Sequence, residues 1–304
     1  MFANEVSTMN AALLADRGVV KIAGDAARDF LQGLFTADVK KLTPGAACFA
    51  ALLTPQGKII ADFMVVEAPA KDGGGFFLDV ARGRASALVE RLNVYKLRAK
   101  VIIEDLSEIL GVLAGWGGNG STALGLSYPD PRLPELGIRI MLPPHLAEKA
   151  AAEMTATLAD ASAYDTHRIA LGIPSGGVDF QYGDAFPHET DMDQLGGIDF
   201  AKGCYVGQEV VSRMEHRGTA RTRAVPVRCD GDPPPAGTAI LAGERQVGTI
   251  GSSARGMGIA LLRLDRTTEA LERGETLTCG GIAIHVLKPD WARFAVPGDV
   301  KAPE

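Results

Sequence analysis

The chain has 304 residues, 46% hydrophobic and 22% charged, with a formal net charge of −6. That composition is globular, and the length exceeds what one core of roughly 250–300 residues holds, so more than one packed unit is expected. The negative balance disfavours a dedicated nucleic-acid binder.

No run of about 18 uncharged apolar residues marks a spanning helix, and Met1 to Asn10 lacks the basic-then-apolar order of a secretory signal. The default expectation is therefore a cytoplasmic protein with no membrane partner.

In chain order, Gly18 to Gly24 reads as a strand between glycines, followed by a helix that Asp25 caps and that turns Phe30, Leu31 and Leu34 inward. Cys48–Leu53 and Ile59–Val66 read as paired strands joined by the turn Thr54-Pro55-Gln56-Gly57. Phe76–Val80 continues the sheet, Gly83–Leu92 has helical spacing, and Leu97–Glu104 and Ile109–Ala114 are further strands. Gly115 to Gly120 matches neither phosphate-binding glycine pattern and reads as a surface loop. An Ala-rich helix is expected over Leu146–Ala161, and another begins near Asp165. From about Val225 the chain turns to short β-runs: Ala224–Arg228, Ala239–Leu241, Gln246–Ile250, Gly258–Leu262 and Ile282–Val286. Strands so closely spaced suggest a small barrel.

Cys48, Cys204, Cys229 and Cys279 are scattered, with no CxxC or His/Cys cluster, so neither a disulfide framework nor a metal site is expected. Cys48, Cys229 and Cys279 lie in apolar runs and read as core residues. Cys204 differs. Gly203 and Gly207 bracket it, Lys202 supplies positive charge that favours a thiolate, and a helix starting near Gly207 would act in the same direction. Equally, Cys204 reads as a buried turn residue, with Gln208 and Glu209 capping the next helix. His167, His188 and His216 have no nucleophile at a telling spacing and read as structural. Arg213, His216, Arg217, Arg221 and Arg223 form a basic strip that suits either carboxylates or solvent.

The run Lys202-Gly203-Cys204-Tyr205-Val206-Gly207-Gln208-Glu209 resembles the KGCYxGQE signature of the YgfZ family, folate-dependent factors for iron–sulfur proteins related to the glycine-cleavage T-protein. Supporting matches are Gly24–Gly33 with Thr36–Val39, Thr54–Phe63, Arg168–Pro174 and Val247–Ser252; Gly115 to Ala163 matches weakly. The resemblance implies an α+β, T-protein-like fold around a central folate cavity, with a folate-binding region over 1–224 and a C-terminal β-barrel over 225–304. It implies Cys204 and Asp62 as the reactive pair, and tetrahydrofolate or a derivative as cofactor. Asp62, Arg168, Lys202, Gly203, Tyr205, Gln208, Glu209 and Arg217 would bind it. The partners implied are iron–sulfur client enzymes or assembly proteins.

A rival from the same resemblance is a folate-dependent one-carbon transferase acting on a small amine or a modified tRNA base. Asp62 matches the aspartate near the reacting folate nitrogen in aminomethyltransferases. Ala170, however, stands where those enzymes carry a pterin-binding glutamate, and alanine cannot replace a carboxylate's hydrogen bonds. Whether the protein is an enzyme is left open by its sequence.

Overall fold

The computed structural model describes residues 9–218 and 220–298. They form two compact units. Unit one holds the described residues up to Leu53, together with Ile60–Tyr164 and Gly196–Val206; unit two holds Thr54–Ile59, Asp165–Leu195 and the described residues from Gly207 onward.

Unit one is built on two five-stranded sheets. Its elements in order are β1 (Asn10–Leu14), β2 (Arg17–Ala23), α1 (Ala27–Gln32), β3 (Ala47–Leu53), β4 (Ile59–Glu67), β5 (Phe76–Ala81), α2 (Arg82–Lys96), β6 (Ile102–Asp105), β7 (Gly111–Trp116), β8 (Leu126–Pro129), β9 (Ile138–Leu142), α3 (Ala147–Glu153) and β10 (Thr157–Leu158). One sheet runs β3-β4-β5-β2-β6 and the other β10-β1-β7-β9-β8. Helix α2 places Ala85, Leu88 and Leu92 on one face, the spacing that buries a helical stripe. These residues join Val20, Ile22, Phe63 and Leu78 in the core of the first sheet.

Charges tie the two sheets together. Asp79 on β5 is fully buried and accepts bonds from Arg17 (2.6 Å), Arg139 of β9 (2.6 Å) and the Tyr128 hydroxyl of β8 (2.9 Å). Arg139 also donates to Asp130 and to the hydroxyl of Tyr164. Burial would raise the Asp79 pKa, but Arg17 and Arg139 outweigh it and hold the carboxyl below its usual range.

Three expectations about local structure are corrected. Asp25 caps nothing: the N-cap of α1 is Ala26, which makes no side-chain cap bond. The strand read over Leu97–Glu104 is confined to Ile102–Asp105, because α2 continues to Lys96 and Leu97 then turns the chain with φ +44°. The helix read over Leu146–Ala161 stops at Glu153. Thr155 takes φ +55°, and Thr157 then pairs with Asn10 in a parallel bridge. Alanine favours helix, but the edge of β1 offers backbone partners that the local propensity does not register.

Unit two continues with α4 (Ala161–Ala170), most of which belongs to it, then α5 (Gln208–Arg217), β11 (Thr222–Cys229), β12 (Ala239–Ala242), β13 (Arg245–Ala254), β14 (Met257–Arg263), α6 (Leu264–Glu272), β15 (Leu277–Cys279) and β16 (Ile282–Val286). The strands close into a barrel in the order β11-β14-β13-β12-β15-β16, with β16 pairing back onto β11. Val225, Val227, Ile240, Ile250, Leu262 and Cys279 fill it. The expected barrel is thus present. The sequence reading missed β15 and α6.

Candidate functional site

The signature loop of unit one, Gly196–Val206, is fastened along its length. Gly196 opens it with φ +71°, and Gly207 ends it with φ +83° as the N-cap of α5. A side chain would strain the backbone at either position. The Thr36 hydroxyl donates to the carbonyl of Gly197, and the Asp199 amide donates to the carbonyl of Thr36. The Asp199 carboxylate accepts from the amide of Ala201 and pairs with Lys41 at 2.6 Å.

Lys202 is the strongest fastening. Its side chain is buried, and Nζ donates to the carbonyls of Gln32 (2.9 Å), Phe35 (2.5 Å) and Ala37 (2.8 Å). These oxygens lie at and just beyond the carboxyl end of α1, where a cation meets the helix dipole and otherwise unpaired carbonyls. Burial lowers the Lys202 pKa to about 8. The ammonium is still protonated at neutral pH, as three acceptors require. Its three carbonyl partners give Lys202 a structural role, and its charge is also felt by the thiol of Cys48.

Between these fastenings, Gly203 and Cys204 are exposed. Tyr205 turns back inward under the Lys202 ammonium, which sits 5.1 Å from its ring centroid. Burial pushes the Tyr205 hydroxyl up to about 12, which leaves it a neutral hydrogen-bonding group. The buried-turn reading of Cys204 is thereby set aside. A groove of about 570 Å³ opens in the same unit, lined by Cys48, Asp38, Lys41, Ile198, Asp199 and the exposed ring of Phe200 among others. Burial pushes the Cys48 thiol up to about 12. Cys229 and Cys279 are buried, as expected of core residues.

Asp62 lies half-buried on β4, and its charge adds to that of Asp79 in stabilising the Arg17 cation. The Asp79–Arg139 network behind it went unread in the sequence, since nothing in the pattern of β5 distinguishes an inward aspartate from an outward one.

In unit two, Arg168 donates to Asp165, to the carbonyl of Ile173 and to Asp179, while Asp179 also accepts from Ser175 and Ser252. Gln208 and Glu209 open α5, with Glu209 paired to Arg213. Arg217 is exposed at the far end of α5. The basic strip is not continuous, because Arg223 is buried on β11 and forked onto Asp193, with a further bond to Asp191. His188 is buried with Nε2 3.1 Å from Glu215.

Of the residues expected to hold tetrahydrofolate, two do not fit that role. Arg168 and Lys202 direct their donors to buried protein oxygens and would have to abandon them to reach a ligand. Gly203, Tyr205, Gln208, Glu209 and Arg217 carry no such commitment, whereas the charge of Asp62 also supports the buried Arg17 cation.

Residues 221–294 match the model of the CAF17 C-terminal β-barrel domain family. The chain is 35% identical over 244 residues to the mitochondrial iron–sulfur cluster assembly factor IBA57 homolog of Mycosarcoma maydis, which covers 76% of this chain and 60% of that protein. It therefore spans less than two thirds of that relative. It is 31% identical over 290 residues to the homolog of Pyricularia oryzae (86% of this chain, 74% of that protein) and 29% identical over 307 residues to IBA57 of Mus musculus (91% and 84%). Among solved structures it resembles the glycine cleavage system aminomethyltransferase T from Bartonella henselae, with a TM-score of 0.75, 17% identity, and coverage of 94% of this chain and 87% of that one. That likeness establishes the T-protein-like fold. These relatives are mitochondrial proteins by name, which overturns the cytoplasmic expectation; lack of a secretory signal does not separate the remaining compartments. Among the described residues no helix is long and apolar enough to cross a membrane.

Proposed function

Because the chain belongs to the family of iron–sulfur cluster assembly factor IBA57, we propose that it supports assembly or repair of iron–sulfur clusters in other proteins through the Cys204 thiol. The observation that carries this reading is the contrast within one loop: Lys202 and Tyr205 are buried, while Cys204 between them is exposed. A thiol displayed on a rigid crest is available to a partner and loses little entropy on being engaged. One thiolate cannot hold a cluster, since clusters take about four ligands. The remaining ligands come from the protein being served or from a small thiol. Cys204 then acts as a temporary ligand, its proton released to solvent as the sulfur binds iron.

A reduced folate as ligand belongs to the same reading. It rests on the signature and on the half-buried carboxylate of Asp62, with Tyr205 of the same unit as a further contact. When bound, the folate would supply one-carbon or reducing chemistry; Asp62 would orient or protonate its amine. Ala170, exposed at the end of α4, offers no carboxylate to the pterin and weighs against an aminomethyltransferase.

The test is complementation. Cells lacking this protein receive the wild type or Cys204→Ala at equal abundance, and the activities of iron–sulfur enzymes are measured. The reading requires Cys204→Ala to fail; restored activities would sink it. Isothermal titration with tetrahydrofolate tests the ligand separately, with Asp62→Asn expected to weaken binding.

A further inference from the structure

Leu97 departs from two rules at once. Among the described residues only Leu97, Thr155, Asp191 and Arg255 take a positive φ without being glycine, and a bulky apolar side chain is poorly suited to that region. Its side chain is also 88% exposed. Packing within the chain therefore gives no return for a leucine where glycine or asparagine would be less strained and more soluble. Val94, one helical turn earlier, is 67% exposed, and Ile102, at the start of β6, is 60% exposed.

The surroundings are basic. Between Glu90 and Glu104 the chain carries Arg91, Lys96, Arg98 and Lys100 and no acidic residue, although its net charge is −6. Among the described residues none of these cations forms an ion pair, whereas Arg17, Arg132, Arg139, Arg168 and Arg223 are each held by carboxylates. Lys96, Lys100 and Ile102 share the lining of a concavity of about 360 Å³ with Gly24 and Asp25. An apolar knob, a shallow hollow that also holds Asp25, and four cations outside any ion pair thus occupy one short stretch of unit one.

We propose that Val94–Ile102 is a docking surface for an acidic partner protein, one that offers an apolar pocket for Leu97 framed by carboxylates for Arg91, Lys96, Arg98 and Lys100. Charge complementarity selects this occupant, steering the encounter while burial of the aliphatic groups holds it. The patch is a compact turn and not a long amphipathic stripe, and its exposed apolar groups are aliphatic; Tyr95, the aromatic residue of the stretch, is half-buried and packs on the core of the first sheet.

The experiment places the photo-reactive residue benzoylphenylalanine at position 94 of the full chain, irradiates living cells and identifies joined peptides by mass spectrometry. The expected products are segments of another protein rich in Asp or Glu beside aliphatic residues. Their yield should fall about tenfold or more with Leu97→Gly, the loss expected for one buried leucine, and likewise with Lys96→Glu/Lys100→Glu. Thermal denaturation of Leu97→Gly should show an unchanged or raised Tm, because the backbone strain is relieved. Products joined to phospholipid or to a second copy of this chain would overturn the proposal, as would yields indifferent to these substitutions. A lowered Tm for Leu97→Gly would mark the residue as structural and overturn it as well.

Discussion

Lys202 Nζ donates to the carbonyl oxygen of Phe35 at 2.5 Å, a contact between residues 167 positions apart. It fixes the second half of the signature loop to the end of α1 by a charge-assisted bond, about twice as strong as a neutral one. The thiol two residues later inherits that rigidity.

Lys202→Met should destabilise the protein by about 2–3 kcal/mol, since carbonyls that met a cation would be left buried without a donor. Urea unfolding of the two proteins measures this. The pH dependence has a defined sign. With burial lowering the folded-state pKa to about 8 from lysine's ordinary 10.5, the unfolded chain binds the proton that the folded chain has released across that interval. The Lys202 contribution therefore becomes more favourable as pH rises from about 8 to 10.5. Wild-type stability should rise relative to Lys202→Met over that interval, and equal slopes would refute the assignment.

Asp79→Asn should lower stability by about 3–5 kcal/mol, because it leaves Arg17 and Arg139 buried without their shared carboxylate. Since the folded Asp79 pKa is held below 3.8, its contribution is present above the ordinary carboxylate range and is lost as pH falls through the lowered value. The gap between wild type and Asp79→Asn should therefore narrow below pH 4, measured by thermal unfolding.

The site was only partly legible in advance. The KGCYxGQE run identified the loop, and closely spaced short β-runs located most strands of the barrel. The role of Lys202 was not legible. A lysine beside a cysteine reads as an electrostatic neighbour, and only the fold brings the end of α1 within reach of its ammonium. Asp79 was hidden for a similar reason: its partners on β8 and β9 lie far along the chain. Thr155 and Leu97 defeated the local reading because a positive φ at either residue runs against its intrinsic preference.

Alkylation should single out Cys204. Iodoacetamide on the native protein should modify it first, with Cys229 and Cys279 protected by burial and Cys48 slow because burial pushes its thiol up to about 12. Peptide mass spectrometry over a time course gives the order. Cys204→Ala should stay within about 0.5 kcal/mol of wild-type stability, as expected of an exposed position.

Arg168→Met separates support from ligand binding. It should destabilise unit two by about 3 kcal/mol or more, since Asp179 would lose its buried cation. Asp62→Asn should cost less stability than Arg168→Met, because Arg17 keeps its closer partner Asp79, and should weaken tetrahydrofolate binding in calorimetry. A reversed pattern would make Arg168 the ligand contact and Asp62 the brace.

The placement of Gly196–Val206 in unit one has a bearing on synthesis. Residues up to Tyr164 leave the ribosome well before the segment that completes their packing, so this half of the protein waits for a late insertion. A nascent or truncated chain ending before Gly196 would leave the end of α1 without its ammonium clamp. The segment that finishes the unit is the same one that carries the exposed sulfur, so display of the thiol doubles as a report that folding there has ended.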